Sequence, residues 1–219
     1  LYVYAVGGFT VPTLAVVTAG LSTPSTTRAL ADALSDAVAR ESKAEGRELS
    51  VETVELRDLA HELADAMTDW TSDTPLLSAA QETVTRATAL IAVTPVFQGS
   101  YSGLFKMFFD TFDQHALEEL PVLVAATGGS ARHAGILDYS LRPLFNYLHA
   151  VVVPTGIFQA ANDVETTARA QRDRDSESAR GEDTYFDMRI ARAARQLTQL
   201  VVSPPQAGPA GDSRNLGNI

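Results

Sequence analysis

The residues best placed to do chemistry in this chain are hydroxyls. Ser22-Thr23-Pro24-Ser25-Thr26-Thr27-Arg28 follows directly on the apolar run Thr13 to Thr18 and directly precedes the helix-period stretch Ala29 to Leu34. A hydroxyl-rich turn leaving a buried strand and opening a helix suits a phosphate. The helix start presents unpaired N–H groups and a positive dipole end, and the hydroxyls add donors without adding charge. Neither the glycine fingerprint of a dinucleotide fold nor a Walker A lysine stands at this turn. The phosphate expected is therefore a terminal monophosphate, as on a mononucleotide. Taken alone, a plain helix cap with polar neighbours accounts for the run equally well.

Two further clusters follow apolar runs. Thr94-Pro95-Val96-Phe97-Gln98-Gly99-Ser100-Tyr101-Ser102-Gly103 comes after Leu90 to Val93. Its glycines, proline, aromatics and serines would present backbone N–H and C=O groups at close range, as a planar heteroaromatic ring with polar edges requires. A long turn whose aromatics cover the core is the alternative. Thr127-Gly128-Gly129-Ser130, followed by Ala131-Arg132-His133, permits close backbone approach, with Arg132 or His133 in reach of a ligand or a neighbouring chain. By themselves these are equally an ordinary glycine turn with exposed basic residues. Their coincidence carries more than any one of them, because chance composition rarely decorates all three ligand-facing turns and leaves the others plain.

Positioning these turns requires strands that end beside one another. Five apolar runs recur, at Leu14–Val17, Leu49–Val54, Ala89–Val93, Val122–Ala126 and Val151–Val153. Most are continuous, as in strands covered on both faces, while Leu49 to Val54 alternates like an edge strand. Helical periods lie between them: Leu30, Leu34 and Val38; Leu77, Val84 and Ala87, with Thr74 as N-cap before Pro75; Leu104, Phe105, Phe108, Phe109 and Phe112; Ile136 to Leu148, interrupted by Pro143; and Ile190 to Leu200. Strand and helix alternating throughout predicts an α/β, doubly wound, five-stranded parallel sheet in the flavodoxin-like order 2-1-3-4-5. In such a sheet ligands bind beyond the carboxyl ends of the strands, where the three unusual turns meet. The fold is expected as a single domain over 12–202. Residues 1–11 are set aside as an N-terminal extension, 166–183 as a charged insertion and 203–219 as a flexible tail.

Bulk properties exclude several classes. The 219 residues, 45% of them apolar, suffice for one core. A formal net charge of -10 argues against nucleic acid or an anionic membrane as partner. With no cysteine, thiolate catalysis, disulfides and cysteine metal sites are excluded, which fits a reducing cytoplasm. No apolar stretch approaches the ~18 residues of a spanning helix. No metal-ligand spacing, catalytic triad or paired-carboxylate motif is found.

The three clusters together, from Ala19 to Arg28, Thr94 to Lys106 and Ala126 to Ser130 with His133, resemble the NAD(P)H-dependent FMN reductase family. The likeness is greatest to its actinobacterial branch associated with luciferase-like flavin monooxygenases, where Val152 to Phe158 also has a counterpart, and it covers roughly residues 12 to 160 and the last helix. The resemblance implies that Ser22, Ser25, Thr26 and Thr27 hold the phosphate of FMN. It implies that Pro95, Val96, Phe97, Gln98 and Tyr101, with Ser100 and Ser102 nearby, lie along the ribityl chain and ring, and that Thr127, Gly128 and Gly129, with His133 beside them, meet its pyrimidine end. Two departures stand out. The family often carries an arginine or asparagine inside the phosphate loop, whereas Arg28 comes later, and many members have tyrosine where Phe97 stands.

By this resemblance the chain is expected to reduce FMN with NADPH or NADH, supplying reduced flavin to a partner monooxygenase. Hydride passes from nicotinamide to flavin directly, so no catalytic acid, base or nucleophile is expected, only electrostatic support from the Gly128 and Gly129 amides. The rivals are a quinone, azo or chromate reductase with tightly held FMN, a flavodoxin-type electron carrier, and a regulatory module with an emptied site. His61, His115 and His149 are expected as surface or packing residues, and Trp70 as a packing residue. The phenylalanine stripe exceeds what one core requires, predicting a homodimer or homotetramer with that helix near the interface.

Overall fold

The computed structural model describes residues 11–161 and 177–202. The strands are β1 (Thr13–Thr18), β2 (Ser50–Glu55), β3 (Ala89–Phe97), β4 (Ser100–Tyr101), β5 (Pro121–Gly128), β6 (Val151–Val152) and β7 (Ile157–Ala160). The helices are α1 (Thr26–Ala44), α2 (Ala60–Thr68), α3 (Pro75–Thr85), α4 (Gly103–Asp110), α5 (Arg142–Tyr147) and α6 (Glu177–Val202). Short 3₁₀ turns stand at Leu56–Leu59 and Ala131–His133, and a π-helical turn at Leu137–Leu141 precedes α5, whose Pro143 has no N–H to donate.

The sheet order is β2-β1-β3-β5-β6, with β7 also paired to β5. This is the doubly wound, flavodoxin-like arrangement expected, and it follows from burial. The apolar runs of β1, β3 and β5 are covered on both faces, whereas β2 exposes Val51 at the edge and buries Val54. Leu30, Leu34 and Val38 of α1 pack with Ala193, Ala194 and Leu197 of α6 on one face. The other face carries α2 to α5 around an aromatic cluster, in which Phe109 lies 4.8 Å from Phe105 and 4.9 Å from Phe145 between ring centroids.

Several expectations are corrected. The expected fifth strand is two pieces: β6 pairs with Pro121 and Val122, and β7 with Ala125 to Gly128. Between them the chain leaves the ladder after the Val153 amide, which still donates to the Val122 carbonyl at 2.9 Å, because Pro154 lacks an N–H and the freed carbonyls find other donors. Arg142 donates to the Val153 and Pro154 carbonyls at 3.0 and 2.6 Å, and Arg189 to that of Gly156 at 2.8 Å. The second cluster is a hairpin rather than a long loop. β3 runs to Phe97, turns at Gln98 and Gly99 (φ 49° and 81°), and returns antiparallel as β4. Positive φ at both turn residues matches the twist of paired strands.

The phenylalanine stripe is consumed inside this chain: Phe105, Phe108 and Phe109 are all at most 2% exposed. Surplus apolar area on α4 is therefore no ground for an interface. Trp70, expected to pack, is 74% exposed in the loop after α2. Beside it Asp69 accepts from the Thr71 hydroxyl and amide, which holds its carboxyl below the usual range. His149 and His115 stack at the surface, 4.9 Å apart. Of the segment read as a charged insertion, 166–176 lies outside the described residues, and from Glu177 the backbone is already α6. Residues 1–10 and the tail 203–219 also lie outside them.

Candidate functional site

A cleft of about 540 Å³ opens at the carboxyl ends of the central strands. That volume falls within the usual size of small-molecule sites. Leu21, Ser22, Thr26 and Thr27 line it from the turn after β1, Pro95, Val96 and Phe97 from β3, Thr127, Gly128 and Gly129 from the end of β5, and Gln159, Ala160 and Ala161 from the end of β7. The sheet register explains the grouping. Thr127 pairs with Pro95 on one side and Gln159 on the other, and Gly128 pairs with Ala160, so these residues share one edge.

The first turn of α1 provides donors. Ser25 is its N-cap, with extended backbone and a side-chain oxygen that accepts from the Arg28 amide at 3.1 Å. A Cβ at Gly20 would fall 2.0 Å from that oxygen, so the cap requires glycine there. Ser25 thus caps the helix and stands outside the residues that line the cleft. Thr26 and Thr27 occupy the first turn, where amides have no intrahelical acceptor. Thr26 is exposed to the cleft, while Thr27 is buried and its hydroxyl lies 2.8 Å from that of Thr127.

That Thr27–Thr127 bond ties the first turn of α1 to the β5 turn across a separation of 100 residues. Thr127→Val is expected to cost about 1–3 kcal/mol, because it strands the buried Thr27 hydroxyl. The double change Thr27→Val, Thr127→Val should recover part of this loss. Urea unfolding of the four chains of this cycle checks it; strictly additive losses would mean the bond contributes nothing.

The β5 end is shaped by close contact. A Cβ on Gly128 would lie 2.9 Å from Phe158 Cζ and 3.5 Å from Val96 Cγ2, whereas one on Gly129 would meet nothing within 4 Å. Phe97, 46% exposed, stands at the hairpin end. Five other expected residues lie off the lining. Gln98 is in the exposed hairpin turn, Ser100 is in β4, and Tyr101 packs on Phe105 at 5.9 Å. Ser102 is 1% exposed and caps α4, accepting from the Phe105 amide, while its own amide donates to Thr94 Oγ1. His133 sits in the 3₁₀ turn, its ring nitrogen 3.4 Å from Arg132 Nε. Conversely, Leu21, Gln159, Ala160 and Ala161 were not anticipated. The signal for the last three was the short apolar run Ile157-Phe158, too brief to announce β7.

No lining residue is ionisable. The nearby Arg28 is paired with Asp32 at 2.7 Å and with Glu55, and these two hydrogen bonds raise its already high pKa. Among the described residues no cluster of three His, Asp or Glu side chains could hold a metal. No helix there is long and apolar enough to cross a membrane. The cleft therefore offers uncharged donors at one end, an apolar wall along β3, and backbone amides at a glycine turn. This set fits a phosphorylated planar heterocycle: the open first turn of α1 would suit its anion, and Gly128 lets the Phe158 ring pack where a side chain would otherwise stand.

Residues 12–165 match the family described as NADPH-dependent FMN reductase. The chain is 42% identical over 140 residues to the NADH-dependent FMN reductase SfnE of Pseudomonas putida, spanning 64% of this chain and 72% of that one. It is 38% identical over 122 residues to an FMN reductase (NADPH) of Pseudomonas aeruginosa, spanning 55% and 65% respectively. Among solved structures it is similar to an oxidoreductase from Corynebacterium diphtheriae, at 46% identity and a TM-score of 0.78, covering 88% of this chain and 97% of that one.

Proposed function

Since the chain belongs to the NADPH-dependent FMN reductase family, we propose that its cleft takes FMN for reduction by NADPH or NADH and that the reduced flavin is passed to a partner monooxygenase. The observation that carries this reading is the uncharged cleft of about 540 Å³ joining the first turn of α1 to the β3 hairpin and the β5 glycine turn. The enzyme is an oxidoreductase. When bound, FMN supplies the two-electron acceptor for the nicotinamide's hydride.

The protein's own part is to bind and orient. Ser22, Thr26 and the first-turn amides of α1 would hold the dianionic phosphate. Pro95, Val96 and Phe97 would form the wall against which the ring lies, and Gln159 would face its polar edge. The Gly128 and Gly129 amides would donate toward negative charge developing at the pyrimidine end. Hydride transfer asks for no proton relay in the site, in keeping with a lining that holds no ionisable side chain. The reading includes a homodimer or homotetramer in the cytoplasm. Tyr139 and Tyr147, 87% and 68% exposed on and beside α5, support the assembly, and light scattering at micromolar concentration checks it.

The deciding assay follows NADPH and NADH oxidation in air, with and without excess free FMN. Turnover strictly dependent on added FMN is expected. Turnover with a quinone or azo dye and no added FMN would replace this reading with a reductase that keeps its flavin. Flavin retained without any turnover would mean an electron carrier.

A further inference from the structure

The residues lining the phosphate end of the cleft carry no charge, so a dianion held there must draw any cationic support from just behind them. Arg28 is committed: its Nε and Nη1 are paired with Asp32 and Glu55. Arg57 is paired more loosely. It comes from the 3₁₀ turn after β2, more than 30 residues away in sequence. Its Nη1 donates to the Thr23 hydroxyl at 2.9 Å and to the Ser22 carbonyl at 3.3 Å, both in the turn that opens on the cleft. Its Nε faces Glu55 at 3.9 Å and Asp58 at 3.7 Å, too far for hydrogen bonds. Among the described contacts, Nη2 has no acceptor. Asp58 is 72% exposed, so its field is largely screened by water.

We infer that Arg57 is the positioning residue of the phosphate turn: it fixes Ser22 and Thr23 and, paired with Glu55 and Asp58 only at 3.9 and 3.7 Å, brings positive charge to that turn, so that the site selects a phosphorylated flavin over the same ring without phosphate. This rests on the reading that the cleft takes FMN. A guanidinium is suited to the task because its rigid fork can hold a carbonyl and a hydroxyl through one nitrogen and still direct another toward a phosphate oxygen. A lysine would keep the charge and lose the fork.

The test titrates FMN and riboflavin into the unsubstituted chain, Arg57→Ala and Arg57→Lys, reading flavin fluorescence, with thermal melting of each chain without ligand. Arg57→Ala is expected to weaken FMN about tenfold or more, to leave riboflavin affinity within about twofold, and to flatten the salt dependence of FMN binding. Arg57→Lys should recover part of the FMN affinity. Arg86→Ala, which removes a surface pair with Glu52, is the control and should change neither flavin. Equal losses for both flavins, or an unchanged FMN affinity in Arg57→Ala, would overturn the role. An unsubstituted chain that binds neither flavin would overturn the FMN reading itself, and this inference with it. If Arg57→Ala melts early, the Lys variant decides: unchanged discrimination between the flavins would then count against the fork.

Discussion

Thr26→Asp is expected to bind FMN at least about 100-fold more weakly while melting, without ligand, at or above the temperature of the unsubstituted chain. The two effects have opposite signs for one reason. Thr26 is the first residue of α1, exposed on the cleft, and the first turn of that helix holds no acidic side chain. A carboxylate there meets the positive end of the helix dipole and should add about 0.3–1 kcal/mol to stability. The same carboxylate would face the phosphate dianion. At about 4 Å and an effective dielectric near 20, each pair of unit charges costs roughly 4 kcal/mol. A hundredfold in affinity needs only about 2.8 kcal/mol, less than one such pair. Flavin fluorescence titration paired with thermal melting separates the terms. An affinity that survives the substitution would move the phosphate away from α1, whatever happens to the melting temperature.

The largest stability effect is expected at Phe109. Truncation to alanine should cost about 3–5 kcal/mol, the usual range for a buried phenylalanine whose surroundings only partly collapse. Phe109 is 2% exposed and meets Phe105, Phe108, Phe112 and Phe145 at ring-centroid distances of 4.8 to 5.9 Å. Urea unfolding should show a lower midpoint with an unchanged slope, independent of protein concentration. A midpoint that moves only in dilute samples would instead return the stripe to a subunit interface.

Much of the fold and part of the cleft were legible in the chain itself. Continuous apolar runs such as Leu90 to Val93 require cover on both faces, and only strands alternating with helices on both sides supply it. From that alternation the sheet order follows, and with it the rule that the turns after β1, β3 and β5 open on one edge. Ser22, Thr26, Pro95, Val96, Phe97, Thr127, Gly128 and Gly129 could be named in advance because they stand immediately after those runs.

Other assignments were beyond any local pattern. Ser25 and Ser102 are the same kind of residue as Ser22, yet each hydroxyl is drawn to the amide three residues on, because each has the extended backbone of a cap. The Gln98-Gly99 turn lacks the customary Asn-Gly or Asp-Gly signal, so the hairpin went unread, and with it the departure of Ser100 and Tyr101 from the cleft. Gln159 joins the site through the register of β7 on β5, and Arg57 reaches Thr23 across 34 residues.

By itself, then, the order of residue types determined which segments are strands and helices and where ligand-facing turns must fall, since hydrophobic period and burial are local in sequence. Only the tertiary structure decided which hydroxyls face the cleft, which cation stands behind it and which aromatics are left over for other contacts. Those outcomes depend on distances between segments far apart in the chain, and on competition for the same hydrogen-bonding groups once the segments have packed.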